Sequence, residues 1–355
     1  MFHEVYLMLT EQCPNRCEYC YIKGRDNPKS MTLEQIDEII EKEKPDRILF
    51  FGGEPLVRLD LIKEVVKKYY GKMKFQIVTS TSVNFKEFLE FNKEYPLNEV
   101  QFSWDGFSDK NRVDVSGHSI SRTVWKNIIY AAKTGLVFDI KCVVGNENID
   151  LLPTIHQTFV NLHKEYPNVH GEFVIAHRKV YTEKYLEKFK EYYKQTIDLD
   201  NPYYEHMNRI SAILNNDTNY ASCDAGKYIC YTPYGKRCFC TALSQEEEDY
   251  DQEVLQKPCL SEDCKNCKYA CVCDGGCRYE RVLEFGKDWR YKHTEAACQM
   301  AKIIYETFRE WIDNLSFEDF NKLYKLLNTY QEFSENLFTP LNSEGGKKKN
   351  VVLFP

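Results

Sequence analysis

Through the first two hundred residues, short apolar runs alternate with stretches whose apolar positions recur at helical spacing. The runs at 4–10 (EVYLMLT), 47–51 (RILFF), 75–80 (FQIVTS), 99–104 (EVQFSW), 137–144 (VFDIKCVV) and 171–176 (GEFVIA) read as strands. A candidate helix follows each of them. The first, MTLEQIDEIIEKE, places Leu33, Ile36, Ile39 and Ile40 on one face, and Thr32 with Gln35 gives it a capping-box start. The others fall at 59–70, 84–95, 119–134, 151–165 and 182–197, the fifth of the six carrying Pro153 in its first turn. Six such units of roughly 30 residues predict an α/β fold of parallel strands joined by crossover helices. Periodicity alone leaves open a doubly wound sheet or a curved, partial barrel. In both, ligands gather at the carboxyl ends of the strands. The unusual residues fall there: three cysteines after the first strand, GGEP (52–55) after the second, TSTS (79–82) and SWDG (103–106) after the third and fourth.

From about residue 216 the pattern breaks. Eleven of the fifteen cysteines lie between Cys223 and Cys298, in a segment with little apolar periodicity, as expected of a fold built around metal. The acidic stretch SQEEEDYDQE (244–253) reads as an exposed loop within it. After Cys298, QMAKIIYETFREWI and FEDFNKLYKLL are spaced as amphipathic helices. The expected organisation is a barrel over 1–215, a cysteine-rich domain over 216–300, and a helical extension with a tail over 301–355.

Composition narrows the class. Hydrophobic residues at 43% and charged residues at 28% describe a globular chain of 355 residues. The net charge of −7 argues against nucleic acid as a partner, and Lys347, Lys348 and Lys349 form the lone basic run. No secretory signal or membrane span is legible, so no membrane partner and a cytoplasmic location are expected. An odd count of fifteen thiols in a long chain suits metal in a reducing compartment better than a disulfide framework.

Cys13, Cys17 and Cys20 supply three thiolates from one short loop. A structural zinc site takes four ligands, usually as two separated pairs. A [4Fe–4S] cube fits three, with one iron left for a ligand that is not protein. C-x3-C-x2-C with Tyr19 before the last cysteine resembles the signature of the radical SAM superfamily. The resemblance implies a partial (β/α)6 TIM-type barrel whose open iron binds S-adenosylmethionine (SAM) and whose radical takes a hydrogen from the substrate. It implies that Gly52, Gly53, Glu54 and Pro55 receive the SAM amino group, with Glu54 adding charge beside an ammonium. Ser80 and Ser103 become SAM contacts, and Arg112, in DKNR (109–112), would meet the SAM carboxylate.

The later spacing resembles the seven-cysteine SPASM pattern: Cys223-x11-Gly235-x4-Cys240, Cys264-x2-Cys267-x5-Cys273-x3-Cys277, then Cys298. What this implies is two auxiliary [4Fe–4S] clusters, three in all. Cys223, Cys240 and Cys277, with Cys230 as a fourth, would serve one; Cys264, Cys267, Cys273 and Cys298 would close the other. Cys142, Cys238, Cys259 and Cys271 are surplus. The expected activity is hydrogen abstraction from a peptide or protein side chain, ending in oxidation or a crosslink. A flavodoxin- or ferredoxin-type donor would supply electrons. The chain starts directly at its first strand, so a leader-peptide-binding module is expected to be absent or supplied by a separate protein. Sulfatase-maturating enzymes share the SWDG and DKNR likeness, yet Thr241 stands where they carry a basic aspartate, which argues against formylglycine chemistry. Two other readings remain: a radical SAM dehydrogenase or rearrangement enzyme acting on a small molecule, and a non-catalytic iron–sulfur or zinc protein.

Overall fold

A computed structural model describes residues 4–108, 110–176, 181–199, 204–216, 228–246, 262–273 and 275–337. Six strands form where the apolar runs stand: β1 (Glu4–Thr10), β2 (Arg47–Gly52), β3 (Lys74–Thr79), β4 (Glu99–Ser103), β5 (Phe138–Val144) and β6 (Val169–Ile175). The helices between them are α1 (Leu33–Glu43), α2 (Leu59–Tyr69), α3 (Phe85–Glu94), α4 (Ser121–Lys133) and α5 (Leu152–Glu165). Thr32 accepts from the Gln35 N–H while the Gln35 side chain accepts from the Thr32 N–H, so α1 starts on a full capping box.

Strand order decides between the two arrangements. The strands run β6-β5-β4-β3-β2-β1, every neighbouring pair parallel and the order never reversing. Right-handed crossovers in an order without reversal place every helix on the same face of the sheet. A doubly wound sheet needs a reversal, so this is the partial barrel. Val5, Leu7, Ile48, Phe50, Phe75, Ile77, Phe102, Phe138 and Ile140 are buried on the helix side. The opposite face is polar: near the amino ends of the strands Glu4 pairs with Arg47 and Gln76 with Glu99 at 2.6 Å, and in mid-strand Lys141 pairs with Glu172 at 2.9 Å.

One feature is absent from the sequence-based expectation. Tyr228–Tyr231 forms a seventh strand, β7, parallel to the free edge of β1, and Arg237–Cys238 (β8) turns back against it. Tyr228 stacks on Tyr6 at 3.9 Å, and Cys230 and Cys238 join Met8 and Phe51 in one buried cluster. The cysteine-rich segment therefore extends the barrel sheet.

The chain divides into two compact units, 1–177 with 224–257, and 178–223 with 258–355. In the second, α6 (Glu183–Thr196) packs its aromatic face on the helix Glu295–Asp313, with Tyr193 and Phe308 centroids 5.5 Å apart. A further helix, α7 (Tyr204–Asn215), belongs to this unit. Trp289 and Arg281 are both buried there; Arg281 Nε donates to the Trp289 carbonyl at 2.9 Å. Among the described residues, no helix is long and apolar enough to cross a membrane.

Candidate functional site

The loop that leaves β1 is closed at its base. Thr10 and Ser30 form an antiparallel bridge, Glu11 N donates to Lys29 O at 2.9 Å, and Met31 N donates to Leu9 O at 2.8 Å. Cys13, Cys17 and Cys20 lie within this closed loop. GGEP runs alongside it: Gly53 N donates to Thr10 O at 2.7 Å, and Glu54 N to Gln12 O at 2.9 Å. A Cβ at Gly52 would strike the Thr10 carbonyl, and one at Gly53 the carbonyls of Glu11 and Gln12. Gly52 also has φ +141°, which side chains rarely adopt. The glycine pair thus lets two backbones meet, and so positions the cysteine loop.

Glu54 is buried beneath that contact. It accepts from Thr79 Oγ1 at 2.5 Å, from the Ser80 hydroxyl, from Ser80 N at 2.8 Å and from Leu56 N at 3.1 Å. Burial still raises its pKa above the ordinary carboxylate value. Ser80 in turn accepts from Asn15 Nδ2 at 2.8 Å, and Asn15 N donates to Cys13 Sγ at 3.4 Å. A line of hydrogen bonds therefore runs from Glu54 through Ser80 and Asn15 to the first cysteine. Asn15 Oδ1 is buried and has no hydrogen-bond partner among the described residues. Ser103 ends β4 on the face away from the helices, in register with Lys141.

The cysteine loop is also laced to the segment after β4. Arg16 N donates to Val113 O at 2.7 Å and Glu18 N to Asn111 O at 3.1 Å. Arg112 lies between these two contacts. Its Nε donates to Asp105 Oδ2 at 2.8 Å and its Nη1 stands 3.7 Å from Cys17 Sγ. The Tyr19 hydroxyl donates to the same Asp105 oxygen at 2.5 Å, and Val143 N donates to Oδ1 at 2.9 Å. The guanidinium expected at a SAM carboxylate thus already holds a carboxylate of the chain.

The thiols respond to this setting. Burial pushes Cys13 up to about 12; the Asn15 N–H opposes this, while Glu54, Cys17 and Cys20 add to it. Burial likewise raises Cys17, and the Arg112 charge is the largest influence pulling it back. Three thiols in one short loop, with no fourth beside them in that loop, suit a group that brings its own positive charge. Among the described residues no set of three His, Cys, Asp or Glu is gathered for a single ion, so the case for a cluster rests on donor chemistry.

Two further groups of cysteines are present. In the first unit, Cys230 and Cys238 are register partners, and Cys238 Sγ donates to Cys230 O at 3.5 Å. Burial drives the Cys230 thiol up, with Cys238 and Cys240 adding to it. Tyr21, next to Cys20, hydrogen-bonds Thr241, next to Cys240. Lys23 extends the same seam through Gln245 at 3.1 Å and Glu246 at 2.9 Å. In the second unit, burial raises Cys273 to about 12, with Cys298, Cys264 and Cys267 adding to it. Burial raises Cys298 to about 11, with Cys264 first among the charges. Gly276, φ +86°, sits where a Cβ would strike Ala297, so this glycine lies against the start of the helix bearing Cys298. Cys277 stands at the N-cap of the helix Arg278–Phe285. Cys223 and Cys259 lie outside the described residues. Cys142 and Cys271 are buried, Cys142 on the helix side of β5.

Residues 7–158 match the radical SAM superfamily. The chain carries a radical SAM domain. It is 29% identical over 121 residues to a probable GTP 3′,8-cyclase of Methanococcus vannielii, covering 33% of this chain and 41% of that protein. This chain thus spans less than half of that curated relative. Among solved structures it is similar to anSMEcpe with bound AdoMet: TM-score 0.66 at 19% identity, over 90% of this chain and 98% of that one. It is also similar to SuiB of Streptococcus suis bound to the precursor peptide SuiA, with TM-score 0.61 at 14% identity, over 84% and 76% of the two chains. These likenesses extend the shared fold beyond the matched domain. The domain implies a [4Fe–4S] cluster and SAM, and the thiols of the β1 loop have the chemistry to hold one.

Sequence reasoning missed Asp105, Asn15 and Tyr21. Asp105 had a signal, since it sits inside SWDG and within reach of an arginine a few residues on. Asn15 and Tyr21 had none beyond lying beside cysteines.

Proposed function

We propose that this radical SAM enzyme abstracts hydrogen from a side chain of a peptide or protein, and that Cys13, Cys17 and Cys20 hold its cluster. The observation that carries the cluster assignment is the closed β1 loop, which holds all three thiols and is braced by Glu54, Asn15 and Arg112. A [4Fe–4S] cluster with SAM bound supplies, on one-electron reduction, a 5′-deoxyadenosyl radical. The chain's part is positional. Gly52 and Gly53 let the loop pack tightly, and Glu54 and Ser80 hold Asn15, whose backbone N–H donates to Cys13. Ser103, at the carboxyl end of β4, faces the same rim.

Cys264, Cys267, Cys273 and Cys298 are assigned to one auxiliary cluster, and Cys230 and Cys240, with Cys223 and Cys277, to the other. This makes 216–300 a SPASM segment, of which 224–257 belongs to the first unit and 258–300 to the second, with 301–355 as the extension. A flavodoxin- or ferredoxin-type protein would provide the electron, and a separate protein could present a leader peptide. The peptide reading is supported by fold likeness over nearly the whole chain to proteins solved with peptides bound, anSMEcpe with a Cp18Cys peptide and SuiB with SuiA. A small-molecule substrate is the second reading, favoured by the cyclase relative, whose match stays within a third of the chain.

The test is substrate-stimulated turnover by the anaerobically reconstituted full chain with SAM and dithionite. Short peptides should raise 5′-deoxyadenosine release, and one should change mass only when Cys13 is intact. Stimulation by nucleoside triphosphates and by no peptide would replace the first reading with the second.

A further inference from the structure

Asp105 and Arg112 form a buried ion pair beside the second cysteine of the β1 loop. Their side chains are 2% and 11% exposed. The pair is held from every side. Asp105 takes Arg112 Nε and the Tyr19 hydroxyl on one oxygen and Val143 N on the other. The backbone flanking Arg112 is bonded to Arg16 and Glu18, and the Arg112 carbonyl accepts from Ile120 N at 3.2 Å. The guanidinium carbon stands 5.5 Å from the Tyr19 ring centroid. These anchors set the guanidinium so that Nη1 stands 3.7 Å from Cys17 Sγ.

We propose that Arg112 is a positioning residue that donates to the Cys17 thiolate and raises the reduction potential of the cluster, rather than a ligand of the SAM carboxylate. The inference rests on the reading of Cys13, Cys17 and Cys20 as cluster ligands. A cluster that accepts one electron gains negative charge, some of it on its thiolate sulfurs. A cation and an N–H donor beside one of those sulfurs stabilise the reduced form more than the oxidised one. Asp105 neutralises the arginine at long range, but its bonds are to Nε, the Tyr19 hydroxyl and Val143 N, so the N–H nearest the sulfur is left to the sulfur. Low local polarity strengthens the effect. The electron comes from an external one-electron donor, and Arg112 neither gains nor loses a proton in the step.

The experiment is an anaerobic redox titration of the reconstituted full chain followed by EPR, with iron content and SAM affinity measured alongside. Arg112→Gln should keep its iron and bind SAM within about twofold of the parent. At a fixed poise its reduced SAM-site cluster should fall about tenfold, a shift of about 59 mV for one electron. Arg112→Lys, which keeps the charge but not the planar fork, should recover part of that shift. Tyr19→Phe, which deletes only the phenol's bond to Asp105, should move the potential the same way by less, and decides the matter if Arg112→Gln loses iron. Full iron and an unchanged potential, with SAM affinity lost tenfold or more, would overturn the proposal and make Arg112 a SAM ligand. If Cys17→Ala retains the same iron and the same signal, the underlying cluster reading fails instead.

Discussion

Asp139 is an unusual carboxyl for a barrel strand, and replacing it with asparagine should flatten the pH dependence of stability. It lies on the polar face of the sheet. Burial pushes its pKa from the ordinary 3.8 up to about 7; Glu172 and Glu99 add to the rise, and Lys141 opposes it. Between about pH 4 and pH 7 the native chain therefore holds a proton that the unfolded chain has released. That contribution is complete below about pH 4 and is lost as pH rises through about 7. A gap of about three pH units corresponds to about 4 kcal/mol in total, an upper figure because the neighbouring charges rearrange. Iron–sulfur proteins are best handled near neutrality, so the useful window is pH 6 to 8. Asp139 alone should remove about 1.4 kcal/mol of stability there. The Asp139→Asn variant has no proton to release at this position, so its stability should fall less and exceed that of the parent at pH 8. Anaerobic thermal unfolding of both proteins across that window measures the difference. Parallel profiles would refute the assignment of a shared, mostly protonated carboxyl to Asp139.

Glu54→Gln should cost about 1–3 kcal/mol, because the new amide faces at least one backbone N–H, of Leu56 or Ser80, donor against donor. Urea unfolding of the barrel unit reads it, and an unchanged midpoint would count against the buried network. Gly53→Ala should lower iron retained by the β1 loop while the cysteine groups elsewhere keep theirs, since its Cβ would push the loop off the strand end; unaltered iron after gel filtration would contradict this. Cys298→Ala should remove about one cluster's iron, roughly four atoms per chain, whereas Cys271→Ala should remove none. Equal losses in both would dissolve the assignment of the second auxiliary group.

Much of the barrel could be read from local pattern, because each strand and helix carries its own period. Ile36, Ile39 and Ile40 recur on one face of α1, and Thr32 with Gln35 caps it through contacts three residues apart. Strand order could not be read that way, since pairing is a long-range property, and it was order that separated a barrel from a doubly wound sheet. β7 escaped for a different reason: four residues, YICY, buried throughout, show neither alternation nor length. α7 went unmarked, although Asn201 followed by Pro202 in the sequence is a helix-start signal. At the site, residue types were legible and partners were not. Glu54 and Arg112 stand in motifs that a reader can find, yet what each one touches depends on Ser80 and Asp105, brought in by other strands. Gly53 illustrates the same gap: its motif suggested a ligand approaching the backbone, and the structure shows another backbone there.

If the β1 loop holds the cluster at which SAM is cleaved, losing one of its thiols should end that cleavage. Anaerobic reconstitution with iron and sulfide, followed by addition of SAM and dithionite and quantification of 5′-deoxyadenosine by mass spectrometry, tests this most directly. The parent chain should release 5′-deoxyadenosine and methionine in equal amounts, and Cys13→Ala should release neither while keeping the iron bound elsewhere. An iron-loaded parent that yields no 5′-deoxyadenosine, or a Cys13→Ala variant that yields as much as the parent, would contradict it.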